Sequence, residues 1–227
     1  MDRFFALDSP LMRILNRVAD LMILNFLMII CCIPVITAGA AFTGMYYVLM
    51  KVARGEEGYL VAGFFKSFRQ NFKQATILWL LILLFIVVCI GDVLVFKYSA
   101  IEFPKFLQVI MAAIAILVTM VAVYVFPVLA RFDNTTRNIL RNAFFMSVMN
   151  LPKTILIVLL LCSPVVILAL SPRSLVLVLM FGISLPAYAS AYFFSGIFKR
   201  FEPEEEVEAS DYEFSINTDE GNEEKNE

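Results

Sequence analysis

The sequence contains no histidine, and this absence excludes several classes of chemistry. Ser-His-Asp triads, Cys-His pairs and histidine-ligated metals all need an imidazole ring. Proton relays that depend on histidine are excluded for the same reason. The chain also lacks a Walker motif, a glycine-rich phosphate loop and a nucleophile elbow. We therefore expect no enzyme activity, no catalytic residue and no bound cofactor.

Cysteine is scarce, and the four that occur do not have the spacing of a metal site. All four lie in apolar runs, two of them are adjacent, and no CxxC pair is present. We interpret them as buried thiols that pack like small hydrophobes, and we predict no metal site. The four are Cys31, Cys32, Cys89 and Cys162.

Charged residues are few as well, at 17% of the chain, whereas hydrophobic residues make up 61%. Soluble domains contain about 45–50% apolar residues, so this composition indicates a membrane protein. The longest uncharged run covers the 30 residues between Asp20 and Lys51. As one helix it would be about 45 Å long, whereas the hydrocarbon core of a bilayer is about 30 Å thick. We therefore predict two helices that fold back on each other at residues 34–39.

Four further apolar stretches follow, and each is close to the length that crosses a bilayer. The fold class that we predict is all-α, a polytopic membrane protein in which residues 1–200 form six transmembrane helices arranged as three hairpins. The predicted helices cover residues 16–33, 36–53, 75–96, 106–130, 154–170 and 174–198. The alternative is a single first span, which gives five spans in total.

The connections between these helices alternate in their content of lysine and arginine, which sets the orientation of a membrane protein. Along the chain they carry five, two, four, one and two such residues. The richer connections belong in the cytoplasm, which places both termini there as well. We therefore predict a multi-pass protein of the bacterial cell membrane whose partner is the lipid bilayer and which does not bind nucleic acid.

Residues 201–227 differ from the rest of the chain in their charge. They contain 12 acidic residues and one basic residue, whereas residues 1–200 contain 17 basic and 8 acidic residues. The segment has few apolar residues, so it cannot bury enough surface to offset the entropy of ordering. We expect a disordered acidic tail in the cytoplasm, which is either a solubilising end or a docking segment for a basic partner.

The first long connection has an amphipathic pattern over residues 59–74. Phenylalanine recurs every four residues, and basic residues fall on a face about 120° away. The aromatic set is Phe64, Phe68 and Phe72, and the basic set is Lys66, Arg69 and Lys73. We predict a helix at the inner interface, whose rings meet the bilayer, the protein's own bundle or another protein. In the second long connection, Asp133 or Asn134 is the expected helix N-cap.

Three polar residues at membrane depth are candidates for function. Asp92 is charged, and a charge at that depth is costly and usually functional. It lies near the outer edge, so its carboxylate either reaches the headgroups or forms a buried ion, proton or hydrogen-bonding site. Asn25 and Thr37 are uncharged and can join helices by hydrogen bonds.

Four residues are candidate helix breaks, which in transporters free backbone groups for a substrate. They are Pro34, Gly39, Gly182 and Pro186. In the hairpin interpretation the first two mark only the tip of the first hairpin.

Several motifs along the chain resemble a known family. They read Pro-Val-Ile-Thr-Ala-Gly-Ala-Ala at 34–41, Arg-Gly-Glu-Glu-Gly at 54–58, Phe-Phe-Lys-Ser-Phe-Arg-Gln-Asn-Phe at 64–72, Phe-Pro-Val-Leu-Ala-Arg-Phe at 126–132 and Asn-Leu-Pro-Lys-Thr at 150–154. This pattern resembles the YesL-like family, small polytopic membrane proteins of Gram-positive bacteria with a domain of unknown function. The resemblance covers roughly residues 1–200. It implies membrane location and association with genes for polysaccharide breakdown and sugar uptake, and it supplies no catalytic residue.

Three functions follow as alternatives. The first is an accessory membrane protein for carbohydrate uptake or utilisation, which acts by contact with a sugar permease or an enzyme. The second is a small-solute secondary transporter, as broken helices and Asp92 would allow. The third is a membrane scaffold or sensor that acts through the aromatic and basic helix and the acidic tail.

Overall fold

The computed structural model describes residues 10–56, 58–98 and 104–201. Within these residues the chain forms nine α-helices, two short 3-10 helices and no β-strand, so the predicted all-α fold is confirmed. The α-helices are α1 Pro10–Cys32, α2 Ala38–Ala53, α3 Leu60–Gln70, α4 Phe72–Tyr98, α5 Lys105–Arg131, α6 Thr136–Met149, α7 Leu151–Leu170, α8 Leu175–Phe181 and α9 Ser184–Phe198. The 3-10 helices are Val35–Thr37 and Pro172–Ser174. The acidic tail predicted after Phe201 lies outside the described residues.

Among the described residues, five helical segments are long and apolar enough to cross a membrane. They are Ile14–Cys32, Val35–Ala53, Phe72–Tyr98, Lys105–Arg131 and Leu151–Leu170. A sixth span is completed only by two consecutive segments, Pro172–Phe181 and Ser184–Phe198, which are bent by 53° relative to each other. Lipid offers no partner for backbone N–H and C=O groups, so apolar runs of this length form helices. The protein is therefore an integral membrane protein with five or six helical segments of spanning length.

The two predicted breaks are present, but two of the four residues assigned to them lie elsewhere. The first break covers residues 33–37, so Pro34 belongs to it, whereas Gly39 is the second residue of α2. The second break is at Gly182 and Ile183, between α8 and α9. Pro186 lies in the first turn of α9, where a missing N–H costs no intrahelical hydrogen bond. Gly39 and Pro186 are therefore corrections to the prediction.

Helix α3 packs on the protein's own bundle through Phe64 and, in part, through Phe68. Phe64 is fully buried against α2, where Gly44 is so close that an added Cβ would lie 2.9 Å from the Phe64 carbonyl oxygen. Phe68 is half-buried, and Phe72 belongs to α4 and is exposed. The basic residues Lys66, Arg69 and Lys73 are all exposed. The predicted amphipathic helix therefore exists, and it ends at Gln70 rather than residue 74.

The N-cap of helix α6 lies one residue after the nearer of its two predicted positions. Thr135 is the N-cap, and its side chain makes no capping hydrogen bond. The side chain of Asn134 instead accepts a hydrogen bond from Asn138 at 3.1 Å. The assignment of Asp133 or Asn134 as the N-cap is wrong because the helical geometry starts only at Thr136.

The core lies where α2, α5, α7 and α9 meet near α3 and α6. Phe194 of α9 contacts Tyr46 of α2 and Tyr124 of α5, with ring centroids 5.6 and 5.0 Å apart. The hydroxyl groups of Tyr124 and Thr154, which is on α7, are 2.9 Å apart. In the most apolar part of the segment that contains α2, 61% of the residues are buried. In the most apolar part of α4, only 6% are buried. One end of the bundle is thus tightly packed, and α4 is mostly exposed to its surroundings.

Candidate functional site: an apolar cavity between two helix breaks

The tip of the first hairpin lies beside the first third of α4. Trp79 donates a hydrogen bond from Nε1 to the carbonyl oxygen of Val35 at 2.7 Å. Gly39 packs so closely on α4 that an added Cβ would lie 2.5 Å from the Ala75 carbonyl oxygen. From Trp79, α4 continues for 19 residues to Tyr98, which is about 28 Å of helix. Helix α4 therefore extends far beyond the tip that it contacts.

Helix α5 extends beyond the same tip. The ring of Phe126 lies 5.7 Å from that of Phe42 on α2 and 6.1 Å from that of Trp79. From this level, 21 residues lead back to the start of α5 at Lys105, a length of about 31 Å. The central helix α2 does not extend beyond the hairpin tip, whereas α4 and α5 do. Space is therefore left between the longer helices.

A partly open cavity of about 760 Å³ occupies this space. Helix α2 contributes Phe42, Met45 and Tyr46, which line the cavity at the end nearest the core. The remaining walls come from α4, α5, α7 and the broken pair α8 and α9. Other lining residues that enter the argument below are Trp79, Cys89, Leu94, Ala115, Thr119 and Ala122.

The cavity is apolar, and the polar side chains that line it are already hydrogen-bonded. The hydroxyl of Tyr46 lies 3.3 Å from that of Ser190. Thr119 donates to the Ala115 carbonyl at 2.8 Å, and Trp79 donates to Val35. Among the residues that the structure describes, no charged side chain lines the cavity. A sugar needs several hydrogen-bonding partners when it leaves water, so this lining does not fit one.

A cavity of this size is unfavourable as empty space, because the side chains that line it lack packing partners on one side. Water does not stay in an apolar cavity, because it needs two to four polar partners there. In a membrane the space must therefore be filled by apolar groups.

The second break borders the cavity and is held by Asn25 of α1. Gly182 and Ile183 are among the lining residues. The Asn25 side chain is fully buried and accepts hydrogen bonds from the N–H groups of Ile183 and Ser184, both at 3.0 Å. Its amide group also donates to the Leu179 carbonyl at 2.7 Å. Backbone groups that a broken helix could offer to a substrate are thus already occupied.

The first break is satisfied in a comparable way. The Thr37 hydroxyl lies 2.5 Å from the Cys31 carbonyl oxygen and 2.7 Å from that of Pro34, so one proton is shared between two acceptors. Trp79 supplies the third contact, to Val35. The sequence singled out Thr37 and Asn25, and the structure shows that each caps a break. Trp79 was missed, although it is the chain's single tryptophan and lies in an apolar run.

Asp92 lies on α4 beside the cavity without lining it. It follows the lining residue Cys89 by three positions, which places the two on neighbouring parts of the helix surface. Its Oδ2 atom is buried and has no hydrogen-bond partner among the described residues. The carboxylate is therefore partly withdrawn from solvent rather than directed freely at headgroups. Ser184 Oγ is a second buried atom without such a partner.

Comparison with known proteins places one part of the chain. Residues 21–93 match a family model described as "Protein of unknown function, DUF624". The match contains Asn25, Thr37, Trp79 and Asp92, and it ends before α5 begins. Neither the curated proteins nor the solved structures provided a match.

Proposed function

We propose that the chain is a YesL-like accessory membrane protein that supports carbohydrate uptake or utilisation by contact with a permease or a membrane enzyme. The observation that carries this proposal is the exposure of α4. Only 6% of the residues in its most apolar part are buried. Leu84 and Val87 are 62% and 64% exposed on this helix. Helix α4 is thus available to pack against a helix of another protein.

The chemistry of the cavity supports an accessory role over a sugar carrier. Its hydroxyl and N–H side chains are hydrogen-bonded within the protein, and the described residues of its wall carry no charge. A carrier would need free polar groups that replace the water around a sugar. The packing of Phe64 inside the bundle also leaves α3 less apolar surface for a membrane sensor.

The proposed orientation places both termini in the cytoplasm, with α3 and α6 on that side. Its support is the content of lysine and arginine in the connections. The exposed basic residues Lys66, Arg69 and Lys73 would then face the anionic headgroups of the inner leaflet.

The partner is tested by purification in mild detergent from cells grown on a polysaccharide. We expect the protein to copurify in fixed stoichiometry with a sugar permease subunit or a membrane enzyme of polysaccharide breakdown. Replacing Val87 with tryptophan should abolish this association, because the larger ring disturbs close helix packing on α4. The measurement is the amount of the partner per chain by mass spectrometry.

The control is the same change on another exposed helix, Val166→Trp on α7, where Val166 is 53% exposed. This variant should retain the partner at the level of the unchanged protein. Purification of a well-folded chain without a carbohydrate-related partner, or equal loss in both variants, would contradict the proposed docking of α4.

A second candidate function, a small-solute transporter, is favoured by one observation. The buried Oδ2 of Asp92 has no described partner, as expected of a site that binds an ion or a proton. Helix α4, which carries it, also forms part of the cavity wall. The accessory role ranks first because the described part of the chain places no second acidic residue in a spanning helix near Asp92.

Replacing Asp92 with asparagine is expected to leave stability unchanged or raise it, and to leave growth on the carbohydrate intact. A buried, unpaired carboxylate is costly, and asparagine keeps the shape without the charge. The measurements are the midpoint of thermal unfolding in detergent and the growth rate. A variant that folds normally and loses both growth and solute flux in proteoliposomes would promote the transporter above the accessory protein.

A further inference from the structure

We propose that the cavity binds the hydrocarbon chain of a membrane lipid, whose headgroup lies at the end of the bundle where α4 ends and α5 begins. This inference goes beyond the accessory role and does not depend on which protein is the partner. It rests on the shape of the cavity, its lining and its position among membrane-spanning helices.

The cavity is elongated along the helices. On α4 its lining extends from Trp79 to Leu94, which is about 22 Å of helix, and on α5 from Ala115 to Phe126, about 17 Å. Lipid chains also lie roughly along the direction of membrane-spanning helices. The long axis of the cavity therefore matches the direction of a lipid chain in the surrounding bilayer.

The volume and lining select the same occupant. An apolar cavity of about 150 Å³ holds one benzene molecule, and the volume of 760 Å³ found here is several times larger. The wall consists mainly of apolar side chains from six helices, and its hydroxyl groups are already bonded to the protein. Because the walls are themselves surrounded by lipid, a chain from the bilayer is the apolar group nearest to the opening.

The end of the cavity nearest the core defines how the chain is oriented. Met45 and Tyr46 belong to the buried core and Phe42 packs against it, so this end of the cavity faces the packed part of the bundle. Trp79 lies at this end, whereas Leu94 lies near the end of α4. The methyl terminus of the bound chain should therefore lie beside Trp79, and its headgroup beyond Leu94.

The single tryptophan allows a direct test in the unmodified protein. Purified protein is titrated in detergent with phospholipids that carry bromine at different positions of the acyl chain, and the fluorescence of Trp79 is recorded. We expect saturable quenching at a low ratio of lipid to protein. Bromine near the methyl terminus should quench most strongly.

A matched pair of variants separates the cavity from lipid around the protein. Ala122→Phe adds a ring to the cavity wall between Trp79 and the opening, and it should remove most of the quenching. Ala113→Phe makes the same change on the exposed side of α5, outside the lining, and should quench like the unchanged protein. Size-exclusion profiles and thermal midpoints show whether both variants fold.

The outcomes decide the proposal even if Ala122→Phe fails to fold, because the bromine series uses the unmodified chain. Quenching that rises in proportion to the lipid fraction without saturation would show that Trp79 meets only surrounding lipid. Strongest quenching by bromine near the headgroup would indicate lipid of the opposite leaflet, since Trp79 is only six residues from Lys73. Either result overturns the bound chain, and neither bears on copurification of a permease.

Discussion

Replacing Asn25 with leucine should lower the free energy of unfolding by about 2–5 kcal/mol. Leucine keeps the approximate volume but leaves three backbone groups without their partner, a buried one in Ser184 and partly buried ones in Leu179 and Ile183. An unsatisfied buried group costs about 1–3 kcal/mol. Hydrogen bonds between membrane helices average about 0.6 kcal/mol each, because the polar groups find other partners in the unfolded state. Three such bonds set the lower limit of the expected range. The measurement is unfolding by SDS titration, followed by the fluorescence of Trp79.

The matched control is Asn16→Leu on the same helix, at an exposed position. This change should alter the free energy of unfolding by no more than about 0.5 kcal/mol, as is usual for surface sites. Equal stability of the two variants would mean that Asn25 does not hold the break. A loss confined to Asn25→Leu, together with weaker lipid quenching of Trp79, would connect the second break to the shape of the cavity.

The sequence predicts those features of the structure that depend on residues close together along the chain. Apolar runs and their flanking charges are local signals, and they predicted the turn between α1 and α2. They also predicted the six apolar segments, but the sixth consists of two helices bent by 53° rather than one helix over residues 174–198. The amphipathic pattern of α3 is local too, and the helix was found within four residues of its predicted end. A hairpin tip is also set by local residues, so Pro34 was placed in it correctly.

Contacts between distant residues could not be predicted in this way. Asn25 and Ser184 are separated by 159 positions, and only the packing of α1 against α8 and α9 brings them together. Nothing in the sequence near Trp79 shows that its ring reaches Val35, 44 residues earlier. The cavity exists because α4 and α5 extend beyond the tip of the first hairpin, where α2 begins. This difference is a property of the assembled bundle, not of any one segment of the sequence.

Gly39 shows how the same residue type can have two structural meanings. Five residues after a proline in an apolar run it indicates a break, because glycine weakens helices. In the structure it is a regular helical residue whose missing side chain allows α2 and α4 to approach closely. The close approach holds the hairpin tip against Trp79, and the position of that tip determines where the cavity begins.

Replacing Gly39 with alanine should therefore destabilise the protein by about 1–3 kcal/mol, although alanine is the better helix former by about 1 kcal/mol. The added Cβ would lie 2.5 Å from the Ala75 carbonyl oxygen and 2.6 Å from the Cβ of Trp79. Neither atom is at the end of a flexible side chain, so α2 and α4 must move apart. The hydrogen bond from Trp79 to Val35 should then weaken. The measurements are the free energy of unfolding and the emission maximum of Trp79.

Gly91→Ala is the matched control on α4, because no atom of the described residues lies within 4 Å of a Cβ added at Gly91. There the gain in helix propensity is not opposed, so stability should rise by up to about 1 kcal/mol. The same substitution is thus expected to act with opposite sign at two helical glycines of one protein. If both variants gained stability, α2 and α4 would not be held in close contact at Gly39. The short first hairpin would then no longer be fixed against α4, and the physical reason for the cavity above it would be lost.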